Sequence, residues 1–437
     1  MAEKFTYKTK EALLEAANRA GVTLPYSDDT SCLGGRVKIT DTNVEMHNSL
    51  TVHPMEGFDS EEDGSPSELT MRRVTRFAEG GAGLIWCEAT AVTEDGRTNM
   101  GQLWINEDNL DSFKRMAEVM HEKSGGVPVI LQLTHSGRVS KPHNKPEPVI
   151  AYHNPMMNEK FYIEPDYPVA TDEYFDTLPE KFGNAARLAK EAGFDGADVK
   201  CCHKYLFSEL LSAYTREGRY GGSFENRTRL FVDSMKAAAV WCDKDFVLSS
   251  RFGPYDCMPY PWGFAADRDD YLKIDWEEPD RLYRIMYECG VRLVDMTLGT
   301  PYYNPHVNRP YDNGGYEPPE ERLVGVERLI NAAAHMKATV PEITLIGTGY
   351  SYLRKFAPNV GAAVKNSGMA DAIGFGRMTF AYPDFARDIL TNGELDDRKV
   401  CLTCSKCTSL MRAMSCTGCP IRDRDPYLDI YQKVFAK

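Results

Sequence analysis

Short apolar runs alternate along most of the chain with longer stretches in which apolar residues recur every three or four positions. The runs Leu50 to Val52, Gly83 to Cys87, Val127 to Leu133, Gly196 to Cys202, Phe246 to Arg251, Val291 to Met296, Ile343 to Ile346 and Ala370 to Phe375 predict eight strands. Helical patterns fall between them at Asp108 to Lys123, Phe182 to Ala192, Glu225 to Cys242, Pro279 to Cys289 and Val324 to Ala338. Continuously apolar strands joined by amphipathic helices are what a parallel sheet with a covered outer face requires, so the pattern predicts an α/β fold, a (β/α)8 TIM barrel.

The flanks read differently. Lys4, Lys8, Lys10, Glu11, Glu15 and Arg19 interrupt the apolar positions of residues 1–20, which predicts an amphipathic surface helix, and Gly34 to Met55 reads as a small hairpin leading into the first strand. The expected division is therefore an N-terminal helix and hairpin over 1–48, the barrel over 49–395 and a cysteine-rich extension over 396–437. Two loops are long. Pro142 to Pro179 is aromatic and proline-rich, either a lid or an inert surface excursion. Pro254 to Asp275 carries Tyr255, Tyr260, Trp262 and Phe264, which suit a flat apolar or cationic ligand or packing between loops.

Composition narrows the function. A net charge of −13 without any basic block excludes nucleic acid as the expected partner. No apolar segment reaches spanning length and the N-terminus does not read as a signal peptide, so the expectation is a soluble cytoplasmic protein without a membrane partner. Of the 12 cysteines, seven are scattered among apolar neighbours and read as buried thiols. The other five crowd the tail. Cys401, Cys404 and Cys407 are spaced by two residues, Cys419 follows eleven residues later, and Cys416 is a fifth thiol able to replace one of them. Four such thiolates suit a [4Fe-4S] cluster or a structural zinc ion.

The richest stretch runs from Asp195 to Arg229. It is an apolar strand ending in Lys200, His203 and Tyr205, then a polar segment with the Gly221-Gly222 turn, then a helix opening with Glu225 and Arg227. Strand ends of this kind face the ligand in a barrel. The segments His203-Lys204-Tyr205-Leu206 and Tyr220-Gly221-Gly222-Ser223-Phe224-Glu225-Asn226-Arg227 resemble the old yellow enzyme family of FMN-dependent ene-reductases. The closer resemblance is to its branch of 2,4-dienoyl-CoA reductase and trimethylamine dehydrogenase. The chain departs from the common pattern at Lys200, where many members carry a substrate-binding His, and at Lys204, where Gly is usual.

The resemblance implies a specific site. FMN phosphate would lie against Gly349 after the seventh strand and Gly376 and Arg377 at the end of the eighth, the place where barrels hold phosphate. Gln132 would bond the flavin ring, Arg251 would supply the cation near N1, and Pro54, Met55, Glu56 and Ala89 would line its edge and back. Glu56 stands where other members place Thr or Cys. The tail, at the position where this branch inserts its cluster, would bind [4Fe-4S] through Cys401, Cys404, Cys407 and Cys419. No Gly-x-Gly-x-x-Gly segment opens a helix after a strand, so further FAD and NAD(P)H domains of the larger members are not expected, and electrons would come from a separate protein through the cluster or from NAD(P)H directly.

The implied reaction is reduction of the C=C bond of an enone, enoate or enoyl thioester. His203 and Lys200 would stabilise the developing oxyanion, Tyr205 would protonate the α-carbon, and His306 would act as a second proton-relay residue. The alternative is an amine dehydrogenase or demethylase resembling trimethylamine dehydrogenase, supported by an aromatic bowl of Tyr302, Tyr303, Trp262 and Tyr255 and opposed by the charge of Lys200. A homo-oligomer is also within the expectation.

Overall fold

The computed structural model describes residues 3–436. Eight parallel strands close into a barrel: β1 (Leu50–Val52), β2 (Leu84–Ala91), β3 (Val129–Thr134), β4 (Gly196–Val199), β5 (Val247–Phe252), β6 (Leu293–Met296), β7 (Thr344–Gly347) and β8 (Ala372–Phe375). Every strand residue except Arg251 is buried, as a sheet covered on both faces requires. The ring closes where Ile373 and Phe375 of β8 pair with Leu50 and Val52 of β1.

The helices follow the strands in chain order: α1 (Lys10–Arg19) before the barrel, then α2 (Glu68–Ala78), α3 (Leu110–Ser124), α4 (Pro155–Phe161), α5 (Asp172–Glu191), α6 (Phe224–Ala239), α7 (Glu277–Glu288), α8 (Arg322–Thr339) and α9 (Ala357–Asn366). Helix α2 falls between the first two strands, where the sequence gives only a plausible helix. Arg72, Arg73 and Arg76 blur its apolar stripe, yet Ser67 caps it through a bond from the Thr70 amide, and its buried face carries Val74 and Phe77. Helix α5 starts ten residues ahead of the expected Phe182. Thr171 caps it by accepting from the Tyr174 amide, and Pro179, which reads as a break, sits inside it. With α4 it turns much of the long loop between Pro142 and Pro179 into helix.

The hairpin, Val37–Lys38 paired with Glu45–Met46, is the stopper of the barrel. Its Ile39, Val44 and Met46 form one cluster with Leu84, Trp86, Ile130, Val247, Leu293 and Ile346 of the strands, so the N-terminal segment shares the barrel's core. At the other end of the chain, α10 (Lys406–Arg412) brings Thr408, Met411 and Arg412 to the barrel mouth, and α11 (Arg424–Phe435) follows it. Asp423 takes ion pairs from Arg72 and Arg76 of α2, and the Thr417 amide donates to the Gly57 carbonyl at 2.6 Å. No helix among the described residues is long and apolar enough to cross a membrane.

Candidate active site

The C-terminal ends of the strands surround one elongated cavity of about 380 Å3. Its floor is built on two buried aspartates. Asp198 accepts from Trp86 Nε1 at 2.9 Å, Gln132 Nε2 at 2.5 Å and the Arg251 amide at 2.6 Å; burial still raises its carboxyl to about 6. Asp295, on β6, lies 2.9 Å from His53 Nδ1 and 3.3 Å from Arg251 Nε, although neither approach is directed as a hydrogen bond. Arg251 Nη1 donates to the Pro54 carbonyl at 3.1 Å. The two carboxylates thus fix an amide and a guanidinium at the floor. Gln132, Arg251, Pro54, Met55 and Glu56 all line the cavity as expected from sequence; Ala89 does not, and lies buried in β2 with its carbonyl bonded by Gln102.

One end of the cavity is made by Gly349, Gly376 and Arg377. Gly349 has φ of 101°, a conformation that glycine tolerates. A Cβ on Gly376 would fall 2.9 Å from Met55 Sδ, so only glycine leaves Met55 its place beside the cavity. Arg377 Nη2 donates to the Pro310 carbonyl at 2.7 Å, while its Nη1 and the Nε of Arg309 are buried without an acceptor. Burial, with Arg377 and Arg412 nearby, lowers the Arg309 guanidinium to about 10. Buried donors seldom stay unpaired, and Arg377 and Arg309, with no carboxylate between them, define an anion site. A flavin phosphate fits this end, and its ring fits the floor.

Above the floor stand the predicted reactive groups. Lys200 Nζ lies 3.9 Å above the Tyr205 ring and 3.7 Å from Glu56 Oε1; the Tyr205 hydroxyl is 3.3 Å from the same oxygen and 3.4 Å from Thr98 Oγ1. Burial, then the Glu56 charge, raises the Tyr205 phenol well above its usual value, so it stays protonated. His203 and Lys204 both have positive φ, at 66° and 59°. That costly backbone is held by the buried ion pair of Lys204 with Asp256 at 2.6 Å. Asn308 Nδ2 lies 3.1 Å from the Leu298 carbonyl, 3.0 Å from Thr297 Oγ1 and 3.1 Å from His203 Nε2, and Thr297 Oγ1 is 3.3 Å from the same ring nitrogen, so Nε2 is held by these two side chains. Burial and the charges of Arg251 and Lys200 push the His203 imidazole well below its usual value, so it acts as a neutral donor.

His306 is not part of this constellation. It is buried beside the cavity with Nδ1 on the Tyr316 hydroxyl at 2.5 Å and Nε2 3.7 Å from Glu320, whereas Asn308 and Arg309 of the same segment reach the cavity. The aromatic bowl does not assemble either. Tyr302 lines the cavity, but Tyr255 bonds the Tyr271 carbonyl and Trp262 stacks on Tyr152. Sequence reasoning missed His53, Thr98, Asn308, Arg309 and Arg412. Only Arg309 carried a signal, as a charge shortly after a strand end.

In the tail, Cys401, Cys404, Cys407 and Cys419 line one small cavity of about 20 Å3 together with Arg377 and Arg422. Backbone amides of Thr403 and Arg422 donate to the sulfurs of Cys401 and Cys419, each at 3.4 Å. Cys416 is not in that ring and has Asp59 and Arg73 as its charged neighbours. Among the described residues no three His, Cys, Asp or Glu side chains are close enough to grip a single ion. Burial pushes the Cys401 thiol up to about 12, so thiolates here need a compensating positive centre.

A barrel with an unpaired anion site at one end of its mouth, a fixed amide and cation along the floor, and a protonated tyrosine above is the arrangement of a flavin-dependent oxidoreductase. The chain belongs to the NADH:flavin oxidoreductase / NADH oxidase family, whose model matches residues 37–268. A curated NADPH dehydrogenase of Listeria monocytogenes serotype 4b (strain CLIP80459) is 33% identical over 263 residues, covering 59% of this chain and 71% of that protein. An NADH oxidase of Thermoanaerobacter brockii is 26% identical over 371 residues, 83% of this chain and 51% of the relative, so the chain spans about half of that protein's length. Among solved structures, 2-naphthoyl-CoA reductase in complex with 2-naphthoyl-CoA superimposes with a TM-score of 0.73 at 20% identity, over 93% of this chain and 58% of that one, which is a likeness of fold. FMN and NAD(P)H are the redox pair that the family supports.

Proposed function

We propose that this protein is an ene-reductase that reduces the C=C bond of an α,β-unsaturated carbonyl compound. One observation carries the reading: Lys200, His203 and Tyr205 line the same cavity as the flavin-compatible floor, as two donors for a carbonyl oxygen and one held proton. Bound along the floor, FMN would supply the hydride for the substrate's β-carbon. Arg251 and Gln132 hold the ring, Arg377 and Arg309 the phosphate. Lys200 Nζ and the His203 imidazole meet the oxygen on which charge develops, where preorganised donors act most strongly. Tyr205 gives its proton to the α-carbon, and Lys200 over its ring together with Thr98 stabilises the phenolate left behind.

Electrons reach the flavin from NAD(P)H or, through a [4Fe-4S] cluster on Cys401, Cys404, Cys407 and Cys419, from a separate carrier protein. The four cysteines lining one small cavity and the amides aimed at two of their sulfurs support a cluster. The oxidative amine reading has less support, since the aromatic residues it needs are dispersed and the cavity is cationic.

The test is anaerobic. Purified protein is expected to be yellow, to release FMN on denaturation, to regain its oxidised spectrum on adding cinnamaldehyde once reduced, and, in its oxidised form, not to bleach on adding a methylated amine. Colourless protein with no extractable flavin overturns the reading. For the cluster, reduced protein is expected to show a low-temperature electron spin signal that survives Cys416→Ser and disappears with Cys404→Ser; loss in neither variant removes it.

A further inference from the structure

From the charges around the mouth we infer that the substrate is an anion, its carboxylate or phosphate held at the rim by Lys141, Lys160 and Arg412. The inference rests on the ene-reductase reading and specifies its substrate class. The chain as a whole is acidic, at −13, yet the cavity is lined by seven lysines and arginines against one carboxylate, Glu56. Four of the seven have assigned work: Arg251 and Arg377 toward the flavin, Arg309 beside Arg377, and Lys200 at the reaction centre next to Glu56. Lys141, Lys160 and Arg412 remain, and among the described residues none of them has a carboxylate within ion-pair distance.

Three different elements bring these cations together: the segment after β3, helix α4 and helix α10. Between them the walls are apolar, from Phe58, Val139, Phe161, Met411 and Met414. Phe161 meets the Tyr302 ring edge-on at 5.3 Å, and Tyr302 in turn contacts the Tyr205 hydroxyl, so the slot leads from the rim to the proton donor. An acyl compound with an apolar body fits it, its double bond at Tyr205 and its charge among the three cations. Low-dielectric walls concentrate the field of unpaired charges at such a mouth.

The test uses saturated ligands, which bind but cannot be reduced. Oxidised FMN-loaded protein is titrated with 3-phenylpropionate and with its amide, following the flavin absorbance. The carboxylate is expected to bind at least about tenfold more tightly than the amide, and 0.5 M NaCl is expected to erase most of that ratio, as screening of rim charges requires. In the K141Q/K160Q/R412Q variant the ratio is expected to fall to about one; R412E alone should lower it if the triple variant fails to fold. Repeating the comparison with 3-phenylpropionyl-CoA separates a carboxylate carried by the substrate from phosphates of a carrier, and a variant effect confined to either one supports an anion site. Equal binding of acid, amide and thioester, indifferent to salt, overturns the inference. Failure of reduced protein to react with cinnamaldehyde, cinnamate and cinnamoyl-CoA alike would instead remove the ene-reductase reading and leave this binding result standing.

Discussion

The two ends of the barrel are built on opposite terms. At the closed end Ile39, Val44 and Met46 of the hairpin meet Leu84, Ile130, Leu293 and Ile346 in an apolar cluster with no titratable member. At the open end lie the left-handed backbone of His203 and Lys204, the unsatisfied donors of Arg251, Arg309 and Arg377, and seven cations around one carboxylate. The first end stabilises the fold and has nothing left to bind. The second is strained, charged and under-bonded in isolation, which makes sense only if ligands complete it.

That division can be broken by substitution. The largest effect is expected from Tyr205→Phe, which keeps the ring under Lys200 and removes the proton: reoxidation of reduced protein by an enone should slow roughly a hundredfold or more, while flavin reduction by NAD(P)H is unchanged in stopped-flow traces. Next comes Arg377→Met, expected to weaken FMN binding by about 3 kcal/mol, roughly a hundredfold in Kd by apoprotein titration, through loss of a charged fork on the phosphate. Leu84→Ala at the closed end should show the converse, a loss of about 3 kcal/mol in urea unfolding with the FMN Kd untouched. If Leu84→Ala also releases flavin from folded protein, the two ends are coupled and the contrast fails.

The same contrast explains what could be read from the chain. Barrel strands are buried and mostly apolar, so β1 was legible to the residue and β3, β5, β6, β7 and β8 to within two residues at each end. Strand β2 runs on to Ala91 because Glu88, which reads as its end, is buried against Arg73 of a helix that was itself only plausible in sequence. Lys200, His203 and Tyr205 were legible because a motif holds them together in sequence. Thr98 and Arg412, which reach the cavity, and Asp295, which lies behind it beside His53 and Arg251, were not, because each comes from a different element and only tertiary structure brings them to the site. His306 shows the reverse error: a residue close to the site in sequence, turned by the short helix Pro305–Asn308 toward Tyr316 instead.

The smallest effect is a pH dependence that should arise at the open end alone. His135 follows β3, and its carbonyl accepts from the Leu206 amide at 3.2 Å, so it braces the loop that carries Tyr205. Its Nδ1 accepts from the Gly137 amide at 3.1 Å, and its Nε2–H faces the Tyr174 hydroxyl at 2.8 Å, which donates onward to Asp95 at 2.6 Å. A second proton would have to go on Nδ1, against the Gly137 N–H. Burial, only partly offset by Asp95, accordingly lowers the imidazole to about 4. An unfolded chain binds that proton near pH 6.5, so stability is fully present above 6.5 and declines as pH falls from there toward 4. At pH 5 the expected loss from this group is about 2 kcal/mol. Unfolding curves at pH 7.5 and 5.0 should therefore differ more in the wild type than in His135→Gln, whose amide has no such proton to take up, while Leu84→Ala should shift both curves equally. A His135→Gln profile as steep as the wild type's would place the acid sensitivity elsewhere and remove this residue from the comparison.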